Sequence, residues 1–270
     1  MRCTVRLKKY LTLLKAGLTE SVQYRMSLFV MIIGNLLYLI LVYFLWKAIY
    51  ASAGTEEVNG MTFSDTLIYL VLATALYTFL EIYAVWEIGR DIQSGQMVLN
   101  LLKPMKYRNY LFWSYSGTLV THFVVTFIPT LIIVRCVTGD TIPLSWNLLV
   151  FLAAVVMAIE INYSIDFIVG TICLFTESIW GINIMKQVIV LLLSGATIPV
   201  AFFLEGLKTV VYFLPFQSIY NTPLTILLGK EPTGDVFMML GVQLFWCLFL
   251  GTLSRVFWNR SVRQITVNGG

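Results

Sequence analysis

The chain has 270 residues, 59% hydrophobic and only 12% charged, with a mean hydropathy of +0.83. Soluble domains carry about 25% charged residues, so this is the composition of a polytopic membrane protein, and its net charge of +4, set beside apolar runs, excludes a nucleic-acid partner. Four cysteines without CxxC spacing and the single His122 leave no disulfide framework, no metal set and little room for His-based catalysis.

Residues 1–25 carry Arg2, Arg6, Lys8, Lys9, Lys15 and Arg25 against Glu20 alone. Leu7, Leu11, Leu14, Leu18 and Val22 follow the spacing of one helical face. The segment reads as an amphipathic helix lying in the cytoplasmic interface. Met26 to Trp46 is the first span, 21 residues covering about 30 Å of hydrocarbon. Ala51-Ser52-Ala53 resembles a signal-peptidase site, but the preceding apolar run exceeds a signal peptide's core, so an uncleaved anchor is expected.

Residues 51–63 lack Lys and Arg and should lie outside. Thr66 to Val85 is the second span. The loop Trp86 to Tyr110 then carries Arg90, Lys103, Lys106 and Arg108. Within it Glu87 to Ile92 can form a short helix, Ser94-Gly95 breaks it, Met97 to Leu102 is an apolar turn, and Lys103-Pro104 ends it. A 25-residue basic loop with its own helices and breakers reads as a docking element. Leu111 to Val134 is the third span, with His122 and Pro129. Arg135 to Ser145 is an outer turn built on Gly139-Asp140 and Pro143.

Trp146 to Phe175 is too long for one upright span, so it must tilt, break near Gly170 or project inward. Thr176 to Ile184 connects it to a fifth span, Met185 to Leu204. Between Lys208 and Gly229, Pro215, Asn221 and Pro223 interrupt an apolar stretch; lipid cannot satisfy the freed backbone groups, so two broken half-helices buried against protein are expected. Lys230-Glu231-Pro232 leads to the sixth span, Val236 to Leu253. With six spans, 14 of the 18 basic residues fall inside; a seventh would put the tail's Arg255, Arg260 and Arg263 outside, against the positive-inside bias. The expected fold is therefore all-α, an integral membrane protein of six spans plus a re-entrant hairpin, in one domain with both termini cytoplasmic.

No Walker, Rossmann, HExxH or GxSxG motif is present, which argues against an enzyme and names no catalytic residue. Acidic residues within spans need an explanation, because charge in hydrocarbon is costly. Glu81, Glu160 and Asp166 are the candidate pathway residues. Glu81 also reads as a group snorkelling from the inner interface, and Glu160 equally as an interhelix hydrogen bond. Glu160 and Asp166 stand roughly 240° apart on a helix, whereas Asn162 and Asp166, four apart, share a face. His122 reads as a structural interhelix bond.

Taken in order, the basic leader, IGRDIQSGQMVLNLLKPMKYRNYLF, SGATIPVAFF, YFLPFQSIYNTPLTILLGK and the ending RSVRQITVNGG resemble the permease subunits of bacterial type-2 ATP-binding-cassette exporters. The resemblance implies a permease paired with a second copy or a related permease, in the bacterial cell membrane, coupled to a separate ATPase. That partner would hold ATP and Mg; this chain would bind no cofactor. The resemblance places a coupling helix over residues 87–97. Arg90, Asp91, Gln93, Ser94 and Gly95 form its polar, ATPase-facing part, and Ile88 and Ile92 its apolar side. The leader matches an elbow helix, and residues 207–229, with Pro215, Phe216, Asn221 and Pro223, match a hairpin capping the exit. Gly95→Pro or Asp91→Arg is expected to lower coupling without loss of expression. The outer loops are too short to handle a large polymer, so a drug, a small peptide or a lipid is the expected substrate. An ion- or proton-driven carrier is the alternative, although no inverted repeat pairs interrupted helices in the two halves.

Overall fold

The computed structural model describes residues 2–138, 146–176, 179–229 and 233–264. The turn residues Gly139, Asp140 and Pro143, part of the 176–184 connection, Lys230-Glu231-Pro232 and the last six residues lie outside them. Helix α1 (Arg2–Gln23) and α2 (Arg25–Ala53) are separated by one non-helical residue, Tyr24. α2 is apolar all round and stands largely free of the bundle, as a lipid-facing span does. Gly54, in the left-handed region, ends it.

A small hairpin follows, β1 (Glu57–Val58) with β2 (Met61–Thr62). Its turn residues Asn59 and Gly60 have φ of 52° and 75°, the type I′ pattern. Thr62 and Asp65 form a reciprocal capping box that starts α3 (Phe63–Leu80). After a break come α4 (Ala84–Gln93), α5 (Gln96–Leu101) and α6 (Tyr107–His122). A π-helical turn, Phe123–Phe127, joins α6 to α7 (Ile128–Thr138). Pro129 sits just beyond it and cannot donate to the carbonyl four residues back; the widened turn absorbs the mismatch.

α8 (Trp146–Thr176) is unbroken over 31 residues, about 46 Å at 1.5 Å per residue. Gly170 therefore does not break it; it receives the Ile88 side chain, which a Cβ there would meet at 2.5 Å. α8 is the central element, packing against α4 and against two later helices, α11 (Asn221–Leu228) and α12 (Thr233–Ser261). Between α8 and α11 lie α9 (Trp180–Leu193) and α10 (Glu205–Phe213).

Five helical stretches among the described residues are long and apolar enough to cross a membrane: Met26–Ala53, Phe63–Gln93, Tyr107–Val137, Trp146–Thr176 and Gly234–Ser261. The expected fifth span is corrected. Its helix α9 stops after 14 residues, about 21 Å, at Ser194 and the left-handed Gly195 with φ of 81°. Residues 194–204 continue as irregular backbone with one 3₁₀ turn, Val200–Phe202.

The N-terminal helix also differs in detail. It packs on α6 through backbone contact, since a Cβ on Gly17 would come within 2.7 Å of the Ser114 carbonyl oxygen, and Gly117 is equally closed by Leu14 and Leu18. Small residues allow such close helix approach. The buried stripe is thus centred on Gly17, while Leu11 and Val22 of the expected apolar face are exposed.

Candidate functional site, a capped break in the second span

The second span does not run straight into a loop. α3 ends at Leu80, Glu81 turns to extended backbone at φ −64° and ψ 115°, and α4 restarts at Ala84. Such a break orphans carbonyl groups on one side and N–H groups on the other, and lipid can satisfy neither. Neighbouring helices bring donors to the carbonyl side and an anion to the N–H side. On the α3 side, His122 Nδ1 lies 3.2 Å from the Thr78 carbonyl oxygen and so carries the donated proton. Asn162 Nδ2 donates to the Leu80 carbonyl oxygen at 2.7 Å. At the head of α4, the Tyr115 hydroxyl adds a second donor, at 3.1 Å, to the Tyr83 carbonyl oxygen, which already accepts from the Glu87 N–H.

On the α4 side, the N–H groups of Ala84 and Val85 face the Asp166 carboxylate. A negative charge at a helix N-terminus is favourable. Asp166 is 1% exposed, and its Oδ1 takes the Lys186 ammonium at 2.6 Å. Asn162 and Asp166 do share a face of α8, and that face holds the two sides of one break.

The α4 helix is fixed along its inner side. Ile88 is fully buried against Gly170, and Gly89 closes on Ile179. Ile92 packs with Val85, Cys173 and Ile179. Asp91 turns inward: its Oδ2 accepts from Asn100 Nδ2 at 2.7 Å and from the Tyr107 hydroxyl at 2.6 Å, tying α4 to α5 and α6. Asp91 thus has partners within this corner, and Asp91→Arg would disturb the fold here as well as any partner surface. Gly95, with φ of 72°, is the left-handed residue between α4 and α5; Pro cannot adopt that angle, so Gly95→Pro also strains the turn itself. What remains exposed is a strip formed by Arg90, paired with Glu87, then Gln93, Ser94, Gly95 and Gln96, and beyond it the apolar Val98, Leu99, Leu101 and Leu102.

Arg108 is the second surprise. Expected as an orienting loop charge, it is buried, 6% exposed. Its Nη2 donates to Glu160 Oε1 at 2.6 Å and to Ser164 Oγ at 2.9 Å, and its Nε to Ser254 Oγ at 3.2 Å. The guanidinium lies 5.0 Å from the centre of the Tyr163 ring. This clamp joins α6, α8 and α12. The three candidate pathway acids are thus not gathered into one site. Glu160 belongs to the Arg108 clamp, Asp166 lies beside the break, and Glu81 sits in the break itself.

The expected hairpin contains α10 and α11, with Pro215 and Phe216 between them and Pro223 in the first turn of α11, where a missing N–H is tolerated. Its irregular backbone is served from other elements. The Tyr69 hydroxyl reaches the Gly195 carbonyl oxygen at 3.0 Å and Asn221 Oδ1 at 3.2 Å. Gln243 Nε2 donates to the Ala154 and Ser218 carbonyl oxygens, each at 2.8 Å, and Trp246 Nε1 to that of Phe213 at 2.8 Å.

Sequence reading did not find the break, the Lys186 partner or the Arg108 clamp. The available signal was the Asn162–Asp166 pair on an otherwise apolar helix, with one lysine, Lys186, beyond its end. No curated protein sequence matches the chain. The family described as ABC-2 family transporter protein matches residues 36–269, from within α2 to the last residues, and includes the break, the clamp and the interrupted stretch. The chain belongs to the ABC-2 transporter family, as a membrane-spanning permease component of an ABC transporter.

Proposed function

We propose that the chain moves an amphipathic or hydrophobic substrate, a drug, a small peptide or a lipid, outward across the membrane, driven by a separate ATPase that docks on α4 and α5. The observation that carries this reading is the two-sided character of that segment. Its inner side is locked to α8 by Ile88 seated on Gly170, with Gly89 closed on Ile179 just beyond α8, while its outer side exposes Gln93 to Gln96 and the four apolar residues from Val98 to Leu102. A partner pushing on the exposed strip would move α8 with it. Residues 207–229 would cap the exit, α1 would serve as the interfacial elbow, and two permeases, identical or related, would form the path between them. In this topology both termini and the α4–α5 segment are cytoplasmic.

The test is copurification of the full chain from native membranes. A stoichiometric ATPase should come with it. Leu99→Asp with Leu102→Asp, both at exposed positions, should lower the retained ATPase at least about fivefold without changing the melting temperature of the chain. Retention of the ATPase by that variant would remove the docking surface from α5. If no ATPase is recovered even after crosslinking at residues 93–96, the ion-driven carrier becomes the better reading.

A further inference from the structure

A concave site of about 350 Å³ lies where α1 meets the start of α6, lined by Lys9, Tyr10, Pro104, Met105, Lys106 and Asn109. Neither Lys9 nor Lys106 forms an ion pair among the described residues, although both lie on the wall of one hollow. Asp91, which contacts the start of α6 through Tyr107, is already engaged by Asn100 and Tyr107. Behind the hollow, Tyr10 packs on Trp113 with ring centres 5.2 Å apart, the kind of aromatic pair that settles at headgroup depth. Two uncompensated ammonium groups, an amide and a phenol thus converge beside the apolar Pro104 and Met105.

We infer that this hollow binds the phosphodiester headgroup of an anionic phospholipid. The two lysines would take the phosphate oxygens, and Asn109 and Tyr10 would reach glycerol hydroxyl or ester oxygens. Pro104 and Met105 line the side from which the acyl chains leave. A free phosphate ion would satisfy the lysines but leave the apolar wall and the aromatic pair without a role. The ligand bridges α1 to the start of α6. Its assignment to the inner leaflet rests on the proposed topology; the binding itself does not.

The test is native mass spectrometry of the purified full chain with added phosphatidylglycerol or phosphatidylcholine. Phosphatidylglycerol should be retained in preference. Lys9→Gln and Lys106→Gln should each lower that retention roughly fivefold, as expected for one cation at an anionic lipid surface, and Lys9→Arg with Lys106→Arg should restore it. Lys8→Gln with Lys15→Gln, exposed lysines of the same helix outside the hollow, should leave it unchanged. Equal loss in that control pair would overturn the site in favour of a diffuse basic surface. Full displacement of the lipid by millimolar inorganic phosphate would overturn the lipid assignment. Loss of ATPase retention in the α5 variants leaves this measurement untouched, so the two readings fail separately.

Discussion

Two interruptions of helix among the described residues are made differently. The stretch from Ser194 to Tyr220 is interrupted by its own residues: left-handed Gly195, Pro199 and Pro215 cannot continue an α-helix there. The break at Glu81–Tyr83 contains neither glycine nor proline. Nothing local prevents α3 and α4 from merging into one helix. It is held open by side chains of α6 and α8, with His122 and Asn162 holding the carbonyls and Asp166 facing the N–H groups. The first kind of interruption would persist without its neighbours. The second exists only while the tertiary structure holds it, and it can therefore respond when that structure shifts.

Removing the caps should separate the two cases. The largest effect is expected from Asp166→Leu, which leaves Lys186 buried without a partner and the head of α4 without its anion. Breaking a buried pair in this way costs about 3–5 kcal/mol. Thermal unfolding in detergent should show it, and adding Lys186→Leu should recover most of the loss; no recovery would mean that the α4 cap, not the ion pair, is the main contribution. Gln243→Leu is next, at about 2 kcal/mol, because two buried carbonyls lose a donor. Helix content should not change there, since the interruption is local in origin. Smallest is Asn162→Leu, about 1 kcal/mol. Here the loss should come with a gain: spin labels at Ile68 and Arg90 should report a straighter α3–α4 pair. An unchanged distance would show that the break does not depend on its caps.

The same contrast explains what could be read from the sequence. Proline and glycine mark the second interruption, so a pair of broken helices before the last span was legible. The Glu81–Tyr83 break was not, because its cause lies about 80 residues away in α8. Charge counting was silent on Arg108: one basic residue among four in a loop carries no sign that it will fold back onto Glu160. The fifth span was drawn too long for a related reason. Apolar composition continues through Thr197 to Leu204, while the backbone stops being helical at Ser194. Hydropathy measures transfer into lipid, and it is indifferent to whether the backbone groups are satisfied by a helix or by Tyr69 and Asn221.

The Gly17–Gly117 contact bears on the order of assembly. The two residues are a hundred positions apart in the chain, so α1 is complete long before its packing partner has been made. At synthesis rates of about 5–20 residues per second, that interval is roughly 5–20 seconds. During it the nascent α1 has a backbone-deep groove and nothing to fill it. Its exposed Leu11 and Val22, flanked by the exposed Lys8 and Lys15, let it wait at the lipid surface until α6 is inserted. The leader's amphipathic pattern is then a provision for the ribosome-bound intermediate, as much as for the finished transporter.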